Sequence, residues 1–168
     1  GKPLDTPVYN LLGGPCRDRI RVYANGWYGG AQTPEAYAEM AIATVERGFT
    51  ALKFDPFPGP WRLYVDRERE QRFVDTVRAV REAIGPDIDL LIEGHRRLAP
   101  MHAVRLAREI AAFDPFWYEE PVPADNVGAL TEARREIPMP VVTGETLYTK
   151  SAFAPIFEQH AADIINPD

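Results

Sequence analysis

Three glutamates in this chain each close a short apolar run. Glu93 follows Leu90-Leu91-Ile92, Glu119 follows Phe116-Trp117-Tyr118, and Glu145 follows Pro140-Val141-Val142-Thr143-Gly144. Their spacing is equal: 119 − 93 = 26 and 145 − 119 = 26. An interval of that size holds one strand, one helix and two loops. Neighbouring parallel strands would then bring all three carboxylates to one rim. Carboxylates gathered in this way repel each other unless a cation sits among them. All-oxygen donors favour a hard divalent ion, Mg2+ before Zn2+. Any one of these glutamates, taken alone, reads better as a strand end facing water. The threefold recurrence is what points to a metal.

The elements that must position these residues follow a strand-then-helix rhythm. Arg19 to Ala24 alternates apolar and charged residues and reads as a first strand. Thr33-Pro34 supplies an N-cap and a first-turn proline for a helix running to about Arg47, which Gly48 ends. Phe49 to Phe54 is a second strand. Pro56, Pro58, Gly59 and Pro60 then impose a loop. A charged amphipathic helix spans Asp66 to Ile84, with Phe73, Val77, Val80 and Ile84 on one face. Three further strands, Ile88 to Ile92, Phe116 to Tyr118 and Val141 to Thr143, alternate with helices at Pro100 to Ala112 and Asn126 to Glu136. A helix at Lys150 to Gln159 precedes a last strand, Ala162 to Ile165. About six strands with five intervening helices predict an α/β fold on a parallel sheet. Their apolar cores fit strands buried on both faces. No glycine-rich dinucleotide fingerprint follows the first strand, which weighs against an open doubly wound sheet. Polar groups end strand after strand (Asp55, Glu93, Glu119, Glu145 and Asp168), as at the catalytic face of a (β/α)8 TIM barrel. Six strands do not close eight, so the expectation is an incomplete barrel.

Composition narrows the function classes. The chain has 168 residues, is 45% hydrophobic and 26% charged, and carries a net charge of 19 − 25 = −6. These are the values of an ordinary globular domain. No basic patch is present, so nucleic acid is not an expected partner. No apolar run reaches membrane-spanning length and no signal peptide is visible. A single cysteine, Cys16, excludes an internal disulfide and suits a reducing, cytoplasmic setting.

With the strand ends laid out, the sequence resembles the enolase superfamily in its mandelate racemase and acid-sugar dehydratase branch. The resemblance covers nearly the whole chain. Pro7 to Gly14 (PVYNLLGG) resembles the segment leading from that family's capping domain into its barrel. Ala51-Leu52-Lys53-Phe54-Asp55 stands at its second-strand Lys-x-Lys motif. Trp117-Tyr118-Glu119-Glu120-Pro121 matches the fourth-strand motif, Thr143-Gly144-Glu145 the fifth, and Ile164-Ile165-Asn166-Pro167-Asp168 the sixth. The resemblance implies that Glu93, Glu119 and Glu145 are Mg2+ ligands, with Glu93 replacing the usual aspartate. It implies proton abstraction beside a carboxylate, with the resulting enediolate stabilised by Mg2+ and nearby cations. Asp55 stands where racemases carry a catalytic lysine, which argues against two-base racemisation.

Within this reading His95, two residues after Glu93, protonates the departing hydroxyl. Strand alternation puts it on the side of Glu93 if the chain stays extended through Gly94. Asp168 is half of a His-Asp base. Lys53 is a catalytic candidate on the face of Asp55; its alternatives are an ion pair with Asp55 or a buried structural role beside the glutamates. Asp55, Arg96 and Arg97 are substrate-binding candidates, the arginines as a carboxylate clamp. Glu120 points away from Glu119 and is structural. His102 and His160 fall in helices as solvated or satisfied surface groups.

The expected domain plan is a connector over residues 1–17, from a missing N-terminal capping domain, and a partial barrel over 18–168 ending at strand six. The expected activity of the intact protein is that of a carbon–oxygen lyase, a Mg2+-dependent aldonate dehydratase acting on a small sugar acid and working as a homo-oligomer. The alternatives are a racemase or epimerase of the same superfamily, a non-catalytic half-barrel, or a binding domain. The isolated 168 residues are expected to self-associate through unpaired strand edges and to show no turnover.

Overall fold

The computed structural model describes residues 1–57 and 65–168. The loop expected at Pro58, Gly59 and Pro60 lies outside the described residues. Among the described residues five parallel strands form one sheet: β1 (Ala51–Phe54), β2 (Asp89–Glu93), β3 (Trp117–Glu119), β4 (Val141–Thr143) and β5 (Ile164–Ile165). Their spatial order follows the chain, β1-β2-β3-β4-β5. A doubly wound sheet would reverse direction at a switch point; uninterrupted order is that of a barrel wall.

Among the described residues six α-helices accompany the sheet: α1 (Val8–Leu11), α2 (Pro34–Glu46), α3 (Arg67–Ile84), α4 (Pro100–Ile110), α5 (Val127–Glu136) and α6 (Thr149–Glu158). Their starts obey local chemistry. Thr33, Asp66 and Asn126 each accept a backbone N–H three residues on, at 3.3, 2.9 and 3.1 Å. Each bond satisfies one of the orphan donors of a helix start. Gly48, at φ 94°, takes the left-handed position after α2 that glycine adopts without strain.

Strand alternation divides the side chains between two faces. Leu52, Phe54, Leu90, Ile92, Tyr118 and Val141 join one buried cluster with Phe73, Val77, Val80, Leu106, Ile110, Leu130 and Ile156 from the helices. The opposite face of β1, β2 and β3 carries Lys53, Leu91, Glu93, Trp117 and Glu119. Register then aligns the site: Lys53 lies beside Leu91, Leu91 beside Trp117, and Glu93 directly beside Glu119.

One feature of the N-terminal region differs from the sequence reading. Residues Arg19 to Ala24 form no regular strand; Ala24 alone makes a parallel bridge, to Leu52. Its N–H donates to Ala51 at 2.9 Å and its carbonyl accepts from Lys53 at 2.8 Å. The chain then turns at Gly26, φ 70°, and packs Trp27, Tyr28 and Tyr37 around Phe54. Ile20 and Val22 stay exposed, so the alternation there is not fixed by a core. Within residues 1–17, Lys2–Leu4 is a 3-10 helix and Val8–Leu11 is α1.

Gly94 fastens the rim where β2 meets β3. Its N–H donates to the Glu119 carbonyl at 2.7 Å. A Cβ there would lie 2.8 Å from the Glu120 carbonyl oxygen, 3.0 Å from Pro121 Cα and 3.1 Å from the Glu119 oxygen. All three are backbone atoms and cannot swing aside. Gly94→Ala is therefore expected to destabilise the fold by about 1–3 kcal/mol, read as a lowered urea midpoint. An unchanged midpoint would mean that the two strand ends separate without cost.

Candidate metal centre

The strand ends bring three carboxylates to one place. Ligand oxygens of Glu93, Glu119 and Glu145 all lie within 4.8 Å of one another. Glu93 and Glu119 are buried last residues of β2 and β3. Glu145 lies beyond β4, after Gly144 with φ 142°, and is half-buried.

Such proximity needs compensation, and cations of the chain supply part of it. Lys53 Nζ lies 2.9 Å from Glu93 Oε2 and 2.6 Å from Glu119 Oε1. Burial by itself would lower the lysine's pKa, but hydrogen bonds and charge from Glu119 and Glu93 outweigh it and hold it well above its usual range. Lys53 is thus a fixed cation between two of the glutamates. The sequence reading left open a pair with Asp55; Asp55 instead takes a two-pronged contact from Arg97, with Nη1 at 2.8 Å from Oδ1 and Nη2 on Oδ2. Arg96 pairs with Glu145.

His95 reaches the rim by a route that alternation does not describe. The strand ends at Glu93, and His95 and Arg96 both adopt left-handed backbone, φ 55° and 62°. That turn lets the His95 N–H donate to Glu93 Oε1 at 2.8 Å and the Arg96 N–H to the Glu120 carbonyl at 2.7 Å. The His95 imidazole is half-exposed, with Nδ1 3.7 Å from Asp55 Oδ2. The extended backbone through Gly94 on which the expectation for His95 rested does not persist.

Glu120 is buried and braces the rim, as expected of a residue turned away from Glu119. Its backbone is left-handed, φ 45°, and its Oε1 accepts from Thr143 Oγ1 at 2.7 Å and from Gly144 N–H at 2.8 Å. Burial raises its pKa, against these hydrogen bonds. Asp168 is exposed, past β5. His102 is buried, not a surface group: its Nδ1 sits 2.8 Å from Glu70 Oε1, beneath Arg105. It stands where α4 meets Glu70 of α3, which a helical position alone does not reveal. His160 lies past the end of α6 in left-handed backbone, φ 53°, and is exposed. Sequence reasoning missed Asn166, whose Nδ2 donates to Glu119 Oε1 at 2.7 Å. Only its place after the last strand, beside the recognised Pro-Asp, hinted at a role.

The residues suit a hard divalent cation. The donors are all carboxylate oxygens, and Glu119 Oε2 is buried with no hydrogen-bond partner among the described residues. A bare buried carboxylate oxygen is costly unless something positive meets it.

A parallel α/β wall with carboxylates at successive strand ends defines an enzyme-type barrel rim. Residues 36–168 match the family model described as "Enolase C-terminal domain-like". The chain belongs to that family, within the enolase superfamily, and its sheet is part of a TIM-type barrel. Over 167 residues it is 39% identical to a D-gluconate dehydratase of Thermoproteus tenax, covering 99% of this chain and 33% of that protein. It is 38% identical to a D-gluconate/D-galactonate dehydratase of Picrophilus torridus, covering all of this chain and 43% of that one. A solved enolase-superfamily member from Salmonella Typhimurium superposes with a TM-score of 0.92 at 30% identity, covering 100% of this chain and 48% of its own. The chain thus spans less than half the length of each of these relatives. No helix among the described residues is long and apolar enough to cross a membrane.

The crowding predicts a pH dependence. Burial first, then the charge of Glu119, pushes the Glu93 carboxyl from its ordinary 4.5 up to about 7, against the opposing pull of Lys53 and the His95 N–H. In the unfolded chain this group ionises near its ordinary value, so between those two pH values the folded state holds the extra proton. Stability of the metal-free protein is therefore expected to fall as pH rises through that window, by on the order of 3 kcal/mol from this group. Glu93→Gln should flatten the slope. Urea melts at pH 5 and pH 7.5 check it; equal slopes for both proteins would refute the assignment.

Proposed function

We propose that this chain provides the metal-binding half of a Mg2+-dependent acid-sugar dehydratase. The observation that carries the reading is the convergence of Glu93, Glu119 and Glu145, within 4.8 Å, at the ends of successive parallel strands. In this reading those glutamates hold Mg2+, which when bound supplies positive charge for the substrate's carboxylate. The substrate class is an aldonate, with gluconate and galactonate as first candidates from the names of the relatives.

The chain's own residues then divide the work. His95 Nδ1 lies 3.7 Å from Asp55 Oδ2, and in this reading Nε2 meets the substrate. His95 gives its proton to the departing β-hydroxyl, which leaves as water. The α-proton goes to a histidine supported by Asp168, which in this reading comes from outside these 168 residues. The enol product tautomerises to a 2-keto-3-deoxy acid. Arg96 and Arg97 present positive charge at the rim for the substrate's carboxylate, and Asp55 fixes Arg97 in place. Lys53 acts electrostatically, holding a fixed positive charge between Glu93 and Glu119. Its proton is shared with two carboxylates, so it is poorly placed to act as a base. That also favours dehydration over two-base racemisation.

The domain plan belongs to the same proposal: residues 1–17 link a capping domain to a barrel to which 18–168 contribute. So do a homo-oligomeric state and a cytoplasmic location.

The test is made on the full-length protein carrying these residues. Incubation with gluconate or galactonate and Mg2+ should yield the 2-keto-3-deoxy acid, and EDTA should stop it. His95→Asn is expected to lower kcat about 100- to 10,000-fold while Mg2+ still raises the melting temperature. Unchanged turnover in that variant would remove His95 from the mechanism. Absence of the keto acid with any aldonate would remove the dehydratase reading.

A further inference from the structure

The two oxygens of Glu119 are held differently. Oε1 accepts from Lys53 Nζ at 2.6 Å and from Asn166 Nδ2 at 2.7 Å. Oε2 is buried and bare among the described residues. The orientation of the Asn166 amide follows from chemistry: an ionised carboxylate only accepts, so the group against it must be the NH2. The residue itself is locked. Its backbone N–H donates to Thr143 at 3.1 Å. Gly144 admits it closely, since a Cβ there would stand 3.2 Å from Asn166 N and 3.3 Å from its carbonyl carbon. From beyond β5 the side chain reaches past β4 to the end of β3.

We propose that Asn166 is a positioning residue for the metal: with Lys53 it pins Glu119 through Oε1 and turns Oε2 towards the ion as a single-oxygen ligand. This deepens the metal reading given above and rests on it. Two donors on one oxygen fix the rotation of the carboxylate about its last bond. With Lys53 alone, that plane is free to turn, and both oxygens can share the lysine or chelate the ion. The lysine compensates charge; the asparagine, neutral and directional, sets angle. A carboxylate at its place would repel Glu119 instead.

Calorimetric titration with Mg2+ alone, on the full-length protein, tests this. Asn166→Ala and the nearly isosteric Asn166→Asp are expected to weaken Mg2+ about 10- to 100-fold, measured at a temperature where each metal-free variant is still folded. Selective 15N-asparagine labelling reads the group in the unaltered protein. The Asn166 NH2 signals should exchange slowly with water and shift as Mg2+ is added. Wild-type affinity in either folded variant, or NH2 signals that exchange freely and do not move, would overturn the role of Asn166 alone. A wild-type protein that takes up no Mg2+ would overturn the metal reading, and this proposal with it.

Discussion

Charge crowding governs the rim. Three carboxylates with ligand oxygens within 4.8 Å, two of them on buried residues, cannot stand together unaided. Water cannot screen Glu119, which is fully buried. The chain answers with Lys53 between Glu93 and Glu119, Arg96 on Glu145, and the neutral donors of Asn166 and the His95 backbone. Removing one member of such a network leaves a charge buried without its partner, which costs far more than the net worth of the pair. The order of the rim therefore depends on all of these contacts at once.

Backbone geometry makes that balance possible. Parallel register sets Glu93 directly beside Glu119, so their crowding is built into the sheet. Past the strands, left-handed residues redirect the chain: His95 and Arg96 after β2, Glu120 after β3. Such conformations cost of order 1 kcal/mol or more at residues with a Cβ and persist where surrounding bonds dictate them. Here those bonds are visible. The Arg96 N–H reaches the Glu120 carbonyl, and Glu120 in turn braces Thr143 and Gly144 at the end of β4. One buried glutamate thus ties three strand ends together, and the helices packed behind the sheet keep it there.

How much was legible in the residues varies with the kind of interaction. Helix starts were, because Thr33, Asp66 and Asn126 act on backbone three residues away. The five strands were, because short apolar runs between turns have few other uses. The even spacing of the glutamates was, because parallel strands repeat at the length of their connection. The segment Arg19 to Ala24 misled, since alternation marks a strand only where a core takes one face, and Ile20 and Val22 have none.

The sequence by itself determined the α/β rhythm, the family and the identity of the three carboxylates, since all of these reside in local pattern and residue type. Tertiary structure decided which charge meets which. Lys53 in β1 and Asp55 just past its end stand two residues apart, yet each pairs with a remote residue, Lys53 with Glu119 66 residues away and Asp55 with Arg97 42 residues away. Asn166 serves a glutamate 47 residues before it. His102, inconspicuous on its helix, is buried against Glu70. Ion pairs and hydrogen bonds act over a few ångströms of space, and a distance in space between remote residues is not written in any local stretch of chain.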